Sequence, residues 1–281
     1  MDYGYTGIPA AQVWETGLSN TEQQGQPHAA IALRIAVLET GTTRPALREA
    51  HGNYPEMLID LISDEMPGTL FTSISVVNGD SVPDAKEYDG YVIMGSRHSV
   101  HDDFPWISAL KKLSRDCAER AIPQVGICFG HQLIAEALGG RVEHSANGWI
   151  AGLQTYSVLG SQDHGDLVTV SSLAYHQEQV VEAAAGARVV LAADSCPLAG
   201  LVYEGKNAFS VQCHPEFRTA YASGLIQATS GDPLEPAFAE QALATLTTPP
   251  HRQRMARAIA AALTGDDTVS IVRALADGSP A

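Results

Sequence analysis

The side chains with the most chemical promise are a thiol and an imidazole–carboxylate pair. Cys128 stands in "VGICFGHQ", between Gly126 and Gly130, where an apolar strand-like run meets a helix-like one. His214, Pro215 and Glu216 close another strand-like run, "AFSVQCHPEF". A thiol performs acyl chemistry when a base takes its proton and a third group orients that base. A sharp strand-to-helix turn suits such a thiol, and strained backbone there requires small neighbours. The helix start adds unpaired N–H groups and a positive dipole end, which favour a thiolate and can hold an oxyanion. Pro215 pushes His214 toward extended backbone, and the offset of two puts His214 and Glu216 on one side of the chain. Glu216 would then hold one ring nitrogen and leave the other facing Cys128. Read alone, the elbow favours a reactive thiol and leaves a packed core cysteine as the lesser alternative; the His-Pro-Glu segment is what sets it apart.

Positioning these groups takes an alternation of strands and helices. "IALRIAVLET", "FTSISVVNG", "YDGYVIMGS", "IPQVGI" and "AFSVQCHPEF" read as strands. "RPALREAHGNYPEMLIDLISD" has helical spacing with Pro55 placed to open a helix, "FPWISALKKLSRDCAERA" repeats apolar residues at helical spacing, and "GHQLIAEAL" ends at Gly139-Gly140. Such alternation predicts a three-layer α/β/α fold on a central, mostly parallel sheet. After residue 140, "GRVEHSANGWIAGLQTYSVLG", "DLVTVSSLAYH", "ARVVLAAD" and "PLAGLVYEG" predict an antiparallel edge. We expect an N-terminal arm over residues 1–30, a catalytic domain over 31–220 and a helical C-terminal extension over 221–281 packed on the same domain.

The balance of 17 Lys+Arg against 32 Asp+Glu gives a net charge of −15. That surface repels phosphate backbones and anionic lipid, which argues against nucleic-acid and membrane roles. The basic cluster "HRQRMARA" is expected to be the solvated face of a helix. No apolar run approaches the ~18–20 residues of a membrane span, and no secretory pattern opens the chain, so the cytoplasm is the expected compartment. The four cysteines, Cys117, Cys128, Cys196 and Cys213, show no CxxC spacing, which argues against a disulfide framework or zinc site. "RHSVHDD" gathers His98, His101, Asp102 and Asp103 without a third element at ligand spacing, so no metal is expected. These residues instead suit the mouth of a site, where Arg97 would meet a substrate carboxylate. No phosphate-binding glycine motif appears, and no cofactor is expected.

"GICFGHQ" and "VQCHPEF", together with "YDGYVIMGS" and "AYHQEQV", resemble the class I glutamine amidotransferase family over roughly residues 33–220. The resemblance implies a Cys128–His214–Glu216 triad acting on a γ-glutamyl carbonyl through a thioester. By the same likeness the backbone N–H of Phe129 is one oxyanion donor, and that of Gly95 or Ser96 the other. Gln132 would hold the glutamyl moiety, and Tyr175 and His176 its amino-acid end. Many ammonia-supplying members carry Gly-Gly-Pro or Gly-Pro-Gly in the oxyanion loop; this chain has "MGSRHSV", which resembles stand-alone hydrolases of γ-glutamyl amides and peptides. Three readings stay open: a free-standing γ-glutamyl hydrolase, the glutaminase subunit of an amidotransferase with a separate synthase, and a non-catalytic binding protein on this scaffold. The expected partner is a small γ-glutamyl substrate; a synthase or ligase and a second copy of the chain stay open.

Overall fold

Four short runs, RIAVL, GYVI, QVGI and AFSV, are almost wholly buried, as strands covered on both faces by helices must be. The computed structural model describes residues 12–15, 32–161 and 168–278. Along the chain come β1 (Gln12–Glu15), β2 (Arg34–Leu38), α1 (Pro45–His51), α2 (Tyr54–Ile62), β3 (Leu70–Ile74) and β4 (Gly90–Ile93). Then follow α3 (Pro105–Arg120), β5 (Gln124–Ile127), α4 (Phe129–Ala137), β6 (Arg141–His144), β7 (Ile150–Val158), β8 (Thr169–His176) and β9 (Glu178–Glu182). The chain continues through β10 (Ala187–Ala193), β11 (Cys196–Tyr203), β12 (Ala208–Val211), α5 (Thr219–Thr229), α6 (Pro236–Ala244), α7 (Arg252–Leu263) and α8 (Thr268–Ala276).

Among the described residues the main sheet has ten strands, in the order β1-β3-β2-β4-β5-β12-β11-β10-β7-β8. Strands β3, β2, β4, β5 and β12 run parallel, and β11, β10, β7 and β8 continue the sheet antiparallel. This is the three-layer α/β/α architecture with an antiparallel edge that the alternation predicts. Successive strand residues feed opposite layers. Ile35, Val37, Val92, Val125 and Ile127 pack toward α2, α7 and α8. Ala36, Leu38, Tyr91 and Ile93 pack toward α3 and α4, alongside Leu110, Leu113, Cys117 and Leu133. Each fully buried Leu, Ile or Met here contributes on the order of 1.5–3 kcal/mol. The β6–β9 pair forms a separate two-stranded sheet; its second strand, EQVVE, was not expected, because β8 and β9 are separated by one residue and the change of direction leaves no turn signal.

Two further differences from the sequence reading, at Pro55 and at the basic cluster, have physical causes. The stretch around Pro55 is two helices, because Gly52 takes a left-handed φ of 75° and Asn53 restarts the chain with its N–H donating to Glu56 Oε2 at 2.6 Å. Of the expected arm, Gln12–Glu15 pairs antiparallel with β3 at the sheet edge, and its other residues up to 30 lie outside the described residues. The basic cluster is no solvated face. Arg252 donates to the carbonyls of Pro215 and Glu216 at 3.3 Å each, and Arg254 to those of Leu275 and Thr169 at 2.6 and 2.9 Å. Carbonyls where regular structure ends need donors, and these arginines supply them. No helix among the described residues is long and apolar enough to cross a membrane.

Candidate active site

At the end of β5 the chain turns through Cys128 at φ 52° and ψ −101°, and α4 begins at the next residue. Holding a non-glycine residue there costs roughly 1–3 kcal/mol, which the surroundings must offset. They do so by close packing that only glycines permit. A Cβ on Gly126 would meet the Gly130 carbonyl oxygen at 2.4 Å, and one on Gly130 would meet the Ile93 oxygen at 2.0 Å. The Cys128 N–H donates to Val211 O at 2.9 Å, and the Gly130 N–H to Met94 O at 3.2 Å. These bonds tie the elbow to β12 on one side and to the end of β4 on the other. As the first residue of α4, Phe129 has an N–H with no preceding helical carbonyl to meet, beside the thiol.

His214 hangs from β8 through its own N–H, which donates to Leu173 O at 2.7 Å. Its Nδ1 lies 2.7 Å from Glu216 Oε1, and both side chains are buried. Phe217 lies flat on the imidazole, with ring centroids 4.1 Å apart and planes 7° apart. Burial alone would push the imidazole down, but the charges of Glu216 and Cys128 outweigh it and raise His214 well above the usual imidazole range. A Cβ on Gly95 would stand 2.7 Å from His214 Cε1 and 3.7 Å from Cys128 Cβ, so glycine is what lets this loop cover the Cys–His pair. Ser96 Oγ donates to Thr40 O at 2.6 Å, and Thr40 Oγ1 to the carbonyls of Met94 and Gly95 at 2.9 and 3.0 Å. The hydroxyls thereby fix which way the loop's peptides face.

A cavity of about 520 Å³ opens over this pair, and Ser96, Arg97, Cys128, Gln132, Tyr175, His176 and His214 all line it. Glu216 sits behind His214, fully buried. Gln132 is more constrained than a simple substrate contact: its Nε2 donates to Glu178 O at 2.8 Å and to Gln212 Oε1 at 3.2 Å. Gln212 in turn donates to Cys128 Sγ at 3.6 Å. The sequence reading missed Gln212, although its place two residues before His214 puts it on the same side of the strand. His176 Nδ1 must be the protonated nitrogen, since it faces the Glu178 carbonyl at 3.0 Å. Burial pushes His176 down to about 4, so the ring is neutral near pH 7. Its buried Nε2 is then an acceptor with no partner among the described residues. Tyr175 packs on Trp149 at 5.1 Å, and Arg97 is exposed at the rim.

Of the expected cluster at His98–Asp103, His98 lines the cavity, and the polar groups of His98 and His101 are bonded locally. His98 Nδ1 faces Asp102 Oδ2 at 3.2 Å, and His101 Nε2 meets Val142 O at 3.1 Å. No group of three or more His, Cys, Asp or Glu able to hold a metal occurs among the described residues. Cys117, Cys196 and Cys213 are buried in the core.

The family model for glutamine amidotransferase class-I matches residues 69–225, more than half of the 281-residue chain. The chain belongs to the class I glutamine amidotransferase family. This amidotransferase-family chain is 26% identical over 213 residues to gamma-glutamyl peptidase 3 of Arabidopsis thaliana, covering 72% of this chain and 84% of that one. It is 28% identical over 148 residues to a glutamine-hydrolysing GMP synthase subunit of Sulfolobus acidocaldarius, covering 52% and 77%. Its fold superposes on a glutamine amido transferase from Methylobacillus flagellatus with a TM-score of 0.64 at 20% identity, covering 88% and 97%.

Proposed function

We propose that this protein is a thiol-dependent amidohydrolase that cleaves γ-glutamyl amide bonds and releases glutamate and the amine. The observation that carries the reading is the buried His214–Glu216 pair, 2.7 Å apart, beside a cysteine held at a left-handed elbow turn. The Cys128 proton passes to His214 Nε2 before attack, and the thiolate Sγ so formed attacks the γ-carbonyl carbon. The tetrahedral oxyanion is held by the N–H of Phe129 and an N–H of the Gly95–Ser96 loop. Collapse breaks the C–N bond, and His214 returns the proton to the departing amine. Water then attacks the thioester carbonyl, its proton passes to His214, and glutamate leaves as the thiol is restored. Glu216 stays ionised and stabilises the imidazolium formed twice in the cycle. The lone pair of His176 Nε2 suits the α-ammonium of the glutamyl moiety, and Arg97 its α-carboxylate.

The relationship to a gamma-glutamyl peptidase and the Gly95-Ser96 loop favour a free-standing hydrolase. The similarity to a GMP synthase component supports the alternative, a glutaminase that passes ammonia to a separate synthase. Turnover of glutamine and of a γ-glutamyl-anilide by the isolated protein separates the two. Hydrolysis of the anilide that is abolished in Cys128→Ala is the expected result. Glutamine hydrolysis that appears only with an added synthase would refute the free-standing reading.

A further inference from the structure

Two separately bonded walls flank the Cys128–His214 pair. In the first, Ser99 Oγ donates to Glu178 Oε1 at 3.0 Å, and the Glu178 carbonyl receives both Gln132 and His176. In the second, Phe217 covers the His214 ring and is itself packed by Tyr54 at 5.8 Å and Tyr221 at 4.5 Å. Arg44 stands just before α1 on that second wall, and α1 packs on α5, which brings Leu225 and Thr229 to the cavity. Arg44 and Tyr175 line the same cavity, and the Arg44 charge opposes the burial that pushes the phenols of Tyr175 and Tyr221 up.

The departing amine must take its proton from His214, so the leaving group lies on the wall that carries His214 and Phe217. Beyond His214, that wall is aromatic and aliphatic with the hydroxyls of Thr42, Thr43 and Thr229, and its one charged group is Arg44. Arg44 is exposed and makes no salt bridge among the described residues, in a chain whose net charge is −15. Among the described residues the single carboxylate lining the cavity is Glu178, and it belongs to the other wall. Arg44, Tyr54 and Thr229 all fall outside the matched family segment, 69–225, which holds the reacting groups.

Resting on the hydrolase reading above, we propose that the second wall is a subsite for a leaving amino acid, whose apolar side chain packs on Tyr54, Leu225 and Tyr175 and whose free carboxylate is held by Arg44. A guanidinium matches a carboxylate with two parallel hydrogen bonds. Ammonia would leave the wall unfilled, and a polyamine would place a cation against Arg44 with no carboxylate on that wall to pair it. The substrate class is therefore a γ-glutamyl dipeptide with an apolar second residue.

The test compares kcat/KM for γ-glutamyl-phenylalanine and γ-glutamyl-phenethylamide, which differ only in that carboxylate. Wild type should prefer the dipeptide by about 10- to 100-fold, the range for one hydrogen-bonded charge. In Arg44→Gln the ratio should collapse toward one, whereas Arg97→Gln should lower both donors together and keep the ratio. Because a variant can fail to fold, wild type is also titrated with free phenylalanine and phenethylamine, and only the former should inhibit strongly. Equal turnover of the two donors by wild type overturns the subsite and leaves the hydrolase reading standing. A ratio that survives Arg44→Gln and falls in Arg97→Gln overturns the assignment to Arg44. No turnover of any γ-glutamyl donor overturns the hydrolase reading and this subsite with it.

Discussion

Replacing Phe217 with leucine isolates what a stacked ring does for the imidazole. The residue is 2% exposed and lies face-on to His214 at 4.1 Å. A stacked aromatic pair contributes about 0.5–1.5 kcal/mol beyond burial, and a desolvated cation over a ring about 2 kcal/mol. Only the second part discriminates between imidazolium and imidazole. At about 1.4 kcal/mol per pKa unit, Phe217→Leu should lower the His214 pKa by about 1.5 units. The sign follows from which form the ring favours: without it the imidazolium loses its proton at lower pH. In the pH profile of kcat/KM for a γ-glutamyl-anilide, the alkaline limb should move down by about that amount. Lost packing should cost about 1–1.5 kcal/mol of stability in a urea titration. Phe217→Tyr keeps the ring and should restore the limb. A leucine variant that loses stability but keeps the wild-type alkaline limb would show that Phe217 is packing alone.

Other consequences can be measured separately. Glu216→Gln removes the charge that lifts His214, so kcat should fall by roughly 10²–10⁴-fold with the fold retained by circular dichroism; a fall below tenfold would remove Glu216 from the mechanism. Gly130→Ala sets a methyl 2.0 Å from the Ile93 carbonyl and should cost more than about 3 kcal/mol. Gly148→Ala, with φ 70° and open space around it, should cost only about 1–2 kcal/mol, and equal losses would contradict the steric account of the elbow. Burial pushes His131 down to about 3 and His176 to about 4, against about 6.5 unfolded. Between those values the unfolded chain binds the extra protons, so stability rises with pH by about 1.4 kcal/mol per unit for each histidine and is lost on acidification. His131→Gln should remove one such increment from the slope between pH 4.5 and 6.5, and an unchanged slope would count against a neutral buried His131.

Much of the site's placement is local chemistry and so is legible in the chain. The Gly126 and Gly130 requirement arises from contacts among β5, the first turn of α4 and the end of β4, and the motif itself reports it. The His214–Glu216 contact follows from a two-residue offset after a proline. The parallel strands announce themselves as unbroken apolar runs, and Cys117 as the inward face of α3. What escaped the sequence is what topology assembles. Arg252 reaches back to the carbonyls of Pro215 and Glu216 from a helix that begins well beyond them. Phe217 carries no sign that its ring will lie on His214, and nothing in "TTRPA" says that Arg44 will border the cavity. The turn at Gly52 was hidden because helical spacing continues through it on either side.

The central claim is that Cys128 carries a γ-glutamyl group. Mixing the protein with a slow γ-glutamyl donor, quenching in acid within the first turnover and digesting for mass spectrometry tests it directly. The account predicts a glutamyl adduct on the peptide containing Cys128, labile to hydroxylamine as a thioester is, and absent from Cys128→Ala, which should also lose hydrolysis. An adduct on another residue, or undiminished hydrolysis by Cys128→Ala, would contradict it.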